Sequence, residues 1–219
     1  MRTGRIALVL ATLLSAGMAT ADINIGVTLS ATGPAASLGI PEKNTIEMIG
    51  SPTVAGQKIN FIVLDDKSDT TEAVKNTRKL LSEDKVDVII GSTVTPNSLA
   101  MRDIVAEAEV PMISMAASAA IILPTDARTK WVFKTPQNDS LMADAVAVHM
   151  RANGVRTMAF IGFADAYGDS WLAEIKRSAE TAGIKVVAEE KFNRNDPSVT
   201  GQGLNIIPGP PAAVPIAGP

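Results

Sequence analysis

Three features of this sequence predict an α/β protein made of two doubly wound, parallel-sheet lobes, the second of them incomplete. Apolar strand-like runs alternate with helical patterns along most of the chain. The alternation breaks once, near residues 134–140, and then resumes. Cysteine is absent, so no disulfide framework can hold the fold and a packed core has to do so.

The first 21 residues stand apart. In "MRTGRIALVLATLLSAGMATA" two arginines precede an apolar run over residues 6–14 and then small residues, the pattern of a secretory leader cleaved between Ala21 and Asp22. The apolar run is too short to span a bilayer, and no later run replaces it. The mature product is therefore expected to be exported and not membrane-spanning. Loss of Arg2 and Arg5 leaves 18 basic against 23 acidic residues, a net charge of −5. That mild acidity argues against nucleic acid as a partner.

The first lobe is expected over residues 22–136. "DINIGVTL" (22–29) reads as a strand, residues 39–49 as a helix, and "KINFIVLDD" (58–66) as the second strand. In "TEAVKNTRKLLSED", Ala73, Val74, Thr77, Leu80 and Leu81 recur at helical spacing and line one face. "VDVII", a helix over 96–108 and "PMISM" continue a βαβ series, which is the signature of a parallel sheet. After "VDVIIG", a run of the kind covered on both faces, the chain empties into "STVTPNS". Thr95 there can cap a helix whose first position suits Pro96. The same start could hold an anion on its free amides.

Pro136 and the Asn138-Asp139 pair mark the break before a partial second lobe over residues 137–200. Leu141, Ala145, Val148 and Ala152 are expected on the apolar face of its first helix. "RTMAFIGF" follows as a strand, "GDSWLAEIKRSAETAG" as a helix and "IKVVAEEKF" as a strand. Residues 201–219 break the pattern. Five of the 13 prolines fall between 208 and 219, where neither a helix interior nor a central strand accepts them. This tail is expected to be irregular, the second lobe to stop after two strands, and the chain to be truncated or altered at its end.

Two facing α/β lobes make a cleft, and open α/β sheets bind ligands beyond the carboxyl ends of their strands. The stretches "INIGVTLSATGPAASLG", "GQKINFIVLDDKSDTTEAVKNTRKLL", "VDVIIGSTVTPNSLAMRDIVAEAEVPMISMAAS", "WVFKTPQND" and "AFIGFADAYGDSW" resemble, in order, the type I periplasmic binding proteins of the leucine/isoleucine/valine class. These serve ABC importers, and their fold is periplasmic binding protein-like I. The resemblance implies a periplasmic location, a permease partner, no cofactor and no catalysis. It also implies a small carboxylate-bearing ligand, such as a branched-chain or other apolar amino acid.

By the same resemblance the ligand carboxylate falls to Thr95. A backbone carbonyl at Ala116 and the hydroxyl of Ser118 fall where an amino group is accepted, and Tyr167 falls where the second lobe closes. Leu38 stands where many members carry an aromatic ring. The acid that pairs with a ligand ammonium in such proteins lies beyond the stretch that matches.

Each candidate also has a plainer reading: Thr95 as a cap, Ser118 as a surface turn, Tyr167 as core. Asp65 and Asp66 read as turn and cap residues in "DDKSDTTEA" rather than as a metal or acid–base pair. His149 reads as a packed or half-exposed helix residue. Enzyme signatures such as G-x-S-x-G, G-x-G-x-x-G after the first strand and a Walker lysine are missing. Two other classes stay open: an exported sensor module using the same cleft, and an α/β enzyme whose catalytic part lies outside this chain.

Overall fold

A computed structural model describes residues 22–218; the expected leader and its cleavage point lie outside the described residues. The first sheet comprises β1 (Ile23–Leu29), β2 (Thr53–Val54), β3 (Gln57–Asp65), β4 (Val88–Ile90), β5 (Met112–Ser114) and β6 (Val132–Lys134). Its order is β2-β3-β1-β4-β5-β6, all parallel except the β2–β3 hairpin. That hairpin turns at Ala55 and Gly56, both with positive φ, the type I′ geometry that matches strand twist. Helices α1 (Ala36–Ile49), α2 (Thr70–Ser82) and α3 (Thr95–Glu107) connect the parallel strands.

The second sheet has the order β8-β7-β9, all parallel, with β7 at Thr157–Phe163, β8 at Lys185–Phe192 and β9 at Ile216–Ala217. Helices α4 (Asp139–Ala152), α5 (Ala166–Ala182) and α6 (Thr200–Ile206) accompany it. Each sheet has its own core. Leu80, Ile89, Met101, Val105 and Met112 pack in the first, and Met158, Phe160, Ile175 and Ala179 in the second.

The structure departs from expectation in three places. The tail is not irregular: α6 opens it, and the segment around β9 adds a third strand to the second sheet. The prolines 208–215 lie between those elements, and of these Pro215 joins the sheet as an acceptor, while Ala212 N donates to Thr157 O (3.1 Å). Ala159 N donates to Ala213 O (3.0 Å) and Ile161 N to Pro215 O (3.2 Å), so a proline that cannot donate still fits an edge.

The face of α4 is also rotated from the one expected. Asp139, Ala143, Ala147 and Met150 are buried, whereas Leu141, Ala145, Val148, Ala152 and His149 are exposed. Both sets have helical spacing, and the smaller side chains allow close packing against α5. Strand β6, just before the break, is not among the strands expected from the sequence; it pairs over only three residues, too few to show a period. In α2 the expected face holds, with Ala73, Thr77 and Leu80 buried and Asp69 accepting from Glu72 N (2.9 Å) as the cap.

Candidate ligand-binding site

Numbered among the parallel strands alone, the first sheet has the order 2-1-3-4-5, and the direction of winding reverses between β1 and β4. Loops leaving adjacent strands at such a reversal diverge and leave a crevice at their carboxyl ends. The loops after β1, β4 and β5 meet there. The loops after β7 and β8 and the residue following β9 supply the opposite wall. Between them lies a cavity of about 230 Å³, lined from the first side by Leu38, Thr93, Val94, Thr95 and Met115–Ala117 and from the other by Tyr167, Arg194 and Gly218. That volume is below the usual range of roughly 300–1,000 Å³ for drug-sized ligands, so it suits a compact molecule.

Thr95 does not cap α3. The N-cap is Val94 without a side-chain bond, and Thr95 is already helical. Its side chain is 1% exposed, and Oγ1 has no hydrogen-bond partner among the described residues. A buried hydroxyl left unpaired costs about 1–3 kcal/mol, which a ligand oxygen would relieve. The first amides of α3 lack intrahelical partners and carry the positive end of its dipole.

A lattice of buried hydroxyls fixes the loops behind Thr95. The Asp66 carboxyl accepts from Ser30 Oγ (2.7 Å), Ser92 Oγ (2.6 Å) and Ser68 N (2.9 Å), which ties together the ends of β1, β3 and β4. Ser98 Oγ accepts from Ser92 N (3.0 Å) and pairs with Ser114 Oγ (2.7 Å). Ser114 Oγ in turn accepts from Ala116 N (3.1 Å). Ala116, expected as a ligand contact, is thus in place on the cavity wall. Lys134 Nζ donates to Ala117 O (2.9 Å), Pro136 O (2.9 Å) and Gln137 O (3.1 Å), which pins the β5 loop to the crossover between the sheets.

Ser118 is placed differently. Its hydroxyl is fully buried, donates to Ser170 Oγ (2.9 Å) on α5 and accepts from Ala120 N (3.2 Å). Ser170 in turn donates to Asp139, the first residue of α4. Ser118 therefore joins the two sides beside the cavity and is not among the lining residues.

Tyr167 lines the cavity from the first turn of α5. Burial pushes its phenol above the usual tyrosine value, so it stays neutral and able to donate. Asp165 caps that helix by accepting from Tyr167 N (2.9 Å) and Gly168 N (3.1 Å). Its other oxygen accepts from Arg194 Nε (2.6 Å). The guanidinium carbon of Arg194 also sits 4.0 Å from the centre of the Phe163 ring. Sequence reasoning missed Arg194, because "FNRNDPS" reads as an ordinary polar loop.

Glu42, on α1, reaches the site from behind. Its Oε2 accepts from Thr93 Oγ1 (2.6 Å), and Thr93 Oγ1 accepts from Ser30 N (2.9 Å). Burial raises its pKa above the usual glutamate value, the Thr93 bond opposes that, and the nearby Asp66 adds to it. A carboxyl whose folded pKa is raised favours folding most at low pH, and the contribution is lost as pH climbs through the folded value. Glu42→Gln keeps an acceptor for Thr93 and removes the charge. Its melting temperature should exceed that of the wild type at neutral pH and match it below the ordinary glutamate pKa. Thermal scans across that window check the sign, and a variant less stable at neutral pH contradicts it.

The sequence pattern of the periplasmic binding proteins matches residues 22–215. The chain belongs to the periplasmic binding protein family. Within that family it is similar to the "Leucine-, isoleucine-, valine-, threonine-, and alanine-binding protein" of Pseudomonas aeruginosa PAO1. The two are 28% identical over 196 residues, covering 87% of this chain and 52% of the relative. It is also similar in structure to an extracellular ligand-binding receptor from Rhodopseudomonas palustris HaA2, with 45% identity and a TM-score of 0.87. That match covers 90% of this chain and 54% of the receptor.

A solute binding protein of an ABC transporter from R. palustris BisB5, solved with 3,4-dihydroxybenzoic acid, is 27% identical with a TM-score of 0.82. The match covers 90% of this chain and 55% of that one. The chain thus spans about half the length of these periplasmic binding protein relatives. Among the described residues no helix is long and apolar enough to cross a membrane.

Proposed function

We propose that this chain acts as the exported solute-binding component of an ABC importer and captures a small carboxylate-bearing molecule, an amino acid or an aromatic acid, in the cavity between its two sheets. The observation that carries this reading is the buried, unpartnered Thr95 hydroxyl on the wall of that cavity. It stands at the start of α3, where the helix amides favour an anion. The first lobe, residues 22–136, supplies Thr95 and Ala116 against a floor held by Asp66. The second, residues 137–200 with the strand that follows, brings Tyr167 over the cavity, and Ser118 bonds across to Ser170. Ligand contacts to both sides favour a closed arrangement by their difference in affinity between states, and a membrane permease is the partner that receives the closed form. The relatives, one named for binding leucine, isoleucine, valine, threonine and alanine and one solved in complex with 3,4-dihydroxybenzoic acid, support both ligand classes.

Thr95→Val tests the reading directly. The hydroxyl makes no bond among the described residues, so its loss should leave stability unchanged or slightly raised while weakening ligand binding by about 1–3 kcal/mol. Calorimetric titration beside chemical unfolding separates the two effects. Lower stability with unchanged affinity would assign Thr95 a purely structural role.

A further inference from the structure

We infer that the Glu42 carboxyl, acting through the Thr93 hydroxyl, couples capture of a carboxylate ligand to uptake of a proton. The inference rests on the ligand-capture reading above and adds a positioning residue to that site. Glu42 lies on α1, half-buried, and does not itself line the cavity. Its Oε2 accepts from Thr93 Oγ1 (2.6 Å), and Thr93, only 5% exposed, does line it. The carboxyl therefore stands one hydroxyl behind the wall that a ligand's charge would approach.

The Thr93 hydroxyl has one proton to give and two lone pairs to offer. Its proton goes to Glu42, and one lone pair accepts from Ser30 N (2.9 Å). While Glu42 is ionised, Thr93 has only its second lone pair left for a ligand, which suits a donor and repels a carboxylate oxygen. A neutral Glu42 can donate to Thr93 instead of accepting from it. The Thr93 proton is then free for a ligand oxygen, and the negative charge behind the wall is gone.

A like charge brought near a carboxylate favours its protonation. An entering anion thus raises the affinity of Glu42 for a proton, and by reciprocity the protonated form holds the anion more tightly. Burial already keeps the Glu42 carboxyl above the ordinary glutamate value, and Asp66 adds to this against the Thr93 bond. The groups around Glu42 leave it as the site of uptake. Asp66, after β3, is committed to Ser30, Ser92 and Ser68. Lys43, its neighbour on α1, pairs with Glu47 (3.5 Å). The loops after β1 and β4 meet it with Ser30 and Thr93, which carry no charge. Among the described residues no cation bonds to Glu42. Across the cavity Arg194 is met by Asp165 (2.6 Å).

Calorimetric titration of the mature chain with L-leucine and with benzoate, from about pH 7.5 down to about pH 5.5 where both carboxylates stay ionised, tests this. The probe that binds should do so about 3–10-fold more tightly at the lower pH. Repeating the titration in buffers of different ionisation enthalpy should show net proton uptake. Glu42→Gln, whose amide can donate to Thr93, should keep the tighter affinity at every pH and take up no proton. Thr93→Ser retains the hydroxyl and should retain both the pH dependence and the uptake. A purely structural Glu42 would shift the melting temperature of the glutamine variant and leave its binding profile with pH like that of the wild type. That result overturns the inference, as does a wild type that binds a probe with neither pH dependence nor uptake, and in both cases ligand capture stands. If neither probe binds a cooperatively folded wild type at any pH, ligand capture itself fails and the inference falls with it.

Discussion

Asp66→Ala should lower folding stability by about 3–5 kcal/mol, the cost of breaking a buried, fully paired carboxyl cluster. Its carboxyl is completely buried and receives two serine hydroxyls and the Ser68 amide. The hydroxyls of Ser30 and Ser92 can rotate toward other acceptors. The Ser68 amide, part-buried, cannot, and it is left unpaired. Because the two serines lie at the ends of β1 and β4, the loss falls on the strand ends that frame the cavity. Ligand affinity should drop with stability. Asp66→Asn retains one acceptor oxygen and should lose less. Urea unfolding with binding measured in parallel checks both variants. A change below about 1 kcal/mol for alanine would place the weight of the floor on the Ser98–Ser114 pair instead.

The second large effect is expected at Gly168. A Cβ added there would lie 1.9 Å from the backbone oxygen of Phe163 and 2.8 Å from its carbon. Since the obstacle is main chain of β7, no side-chain rotation relieves it. The first turn of α5 must move outward, at a cost of about 1–3 kcal/mol for overpacking of this kind, at the upper end because the obstacle is main chain. That shift would carry Tyr167 away from the cavity and stretch the bonds from Asp165 to the helix amides. Gly168→Ala should therefore lose stability and most ligand affinity together, while Gly201→Ala, where a Cβ meets nothing, should lose neither. Melting curves and titrations on the pair decide this, and equal behaviour of the two variants would contradict the close-approach argument.

These two positions show which parts of the protein were legible in the sequence. "AYGDS" pointed to Tyr167, but the reason for the glycine beside it is a contact with a strand end five residues earlier, which no local pattern displays. Asp66 looked like a turn residue. It is one in part, through Ser68 N; its bonds to Ser30 and Ser92 depend on sheet order. The succession of strands and helices was readable from periodicity because each long element buries one face. Periodicity failed where two faces of α4 had equal spacing and only packing could choose between them. It also failed for β6, too short to show a period. Arg194 was invisible for a different reason: a single cation in a polar loop gains meaning only when the loop folds against Phe163, Asp165 and the cavity. Thr95 was identified as a functional candidate, and its failure to cap α3 is a matter of one residue in where the helix begins.

The proline-interrupted pairing of the segment around β9, with Ala212 donating to Thr157 O and Pro215 only accepting, bears on how the described second sheet resists stray strand pairing. A sheet margin usually recruits stray extended chains through a regular row of outward amides and carbonyls. Here, among the described residues, one margin of the second sheet carries Pro215, which contributes no amide proton, with Pro210 and Pro211 just before the paired segment. The other margin, β8, carries Lys185, Glu189, Glu190 and Lys191 along a single strand, so an incoming strand would have to bury charge to dock. Among the described residues, a proline that cannot donate on one side and crowded charge on the other thus make two unrelated obstacles to stray strand addition on the same small sheet.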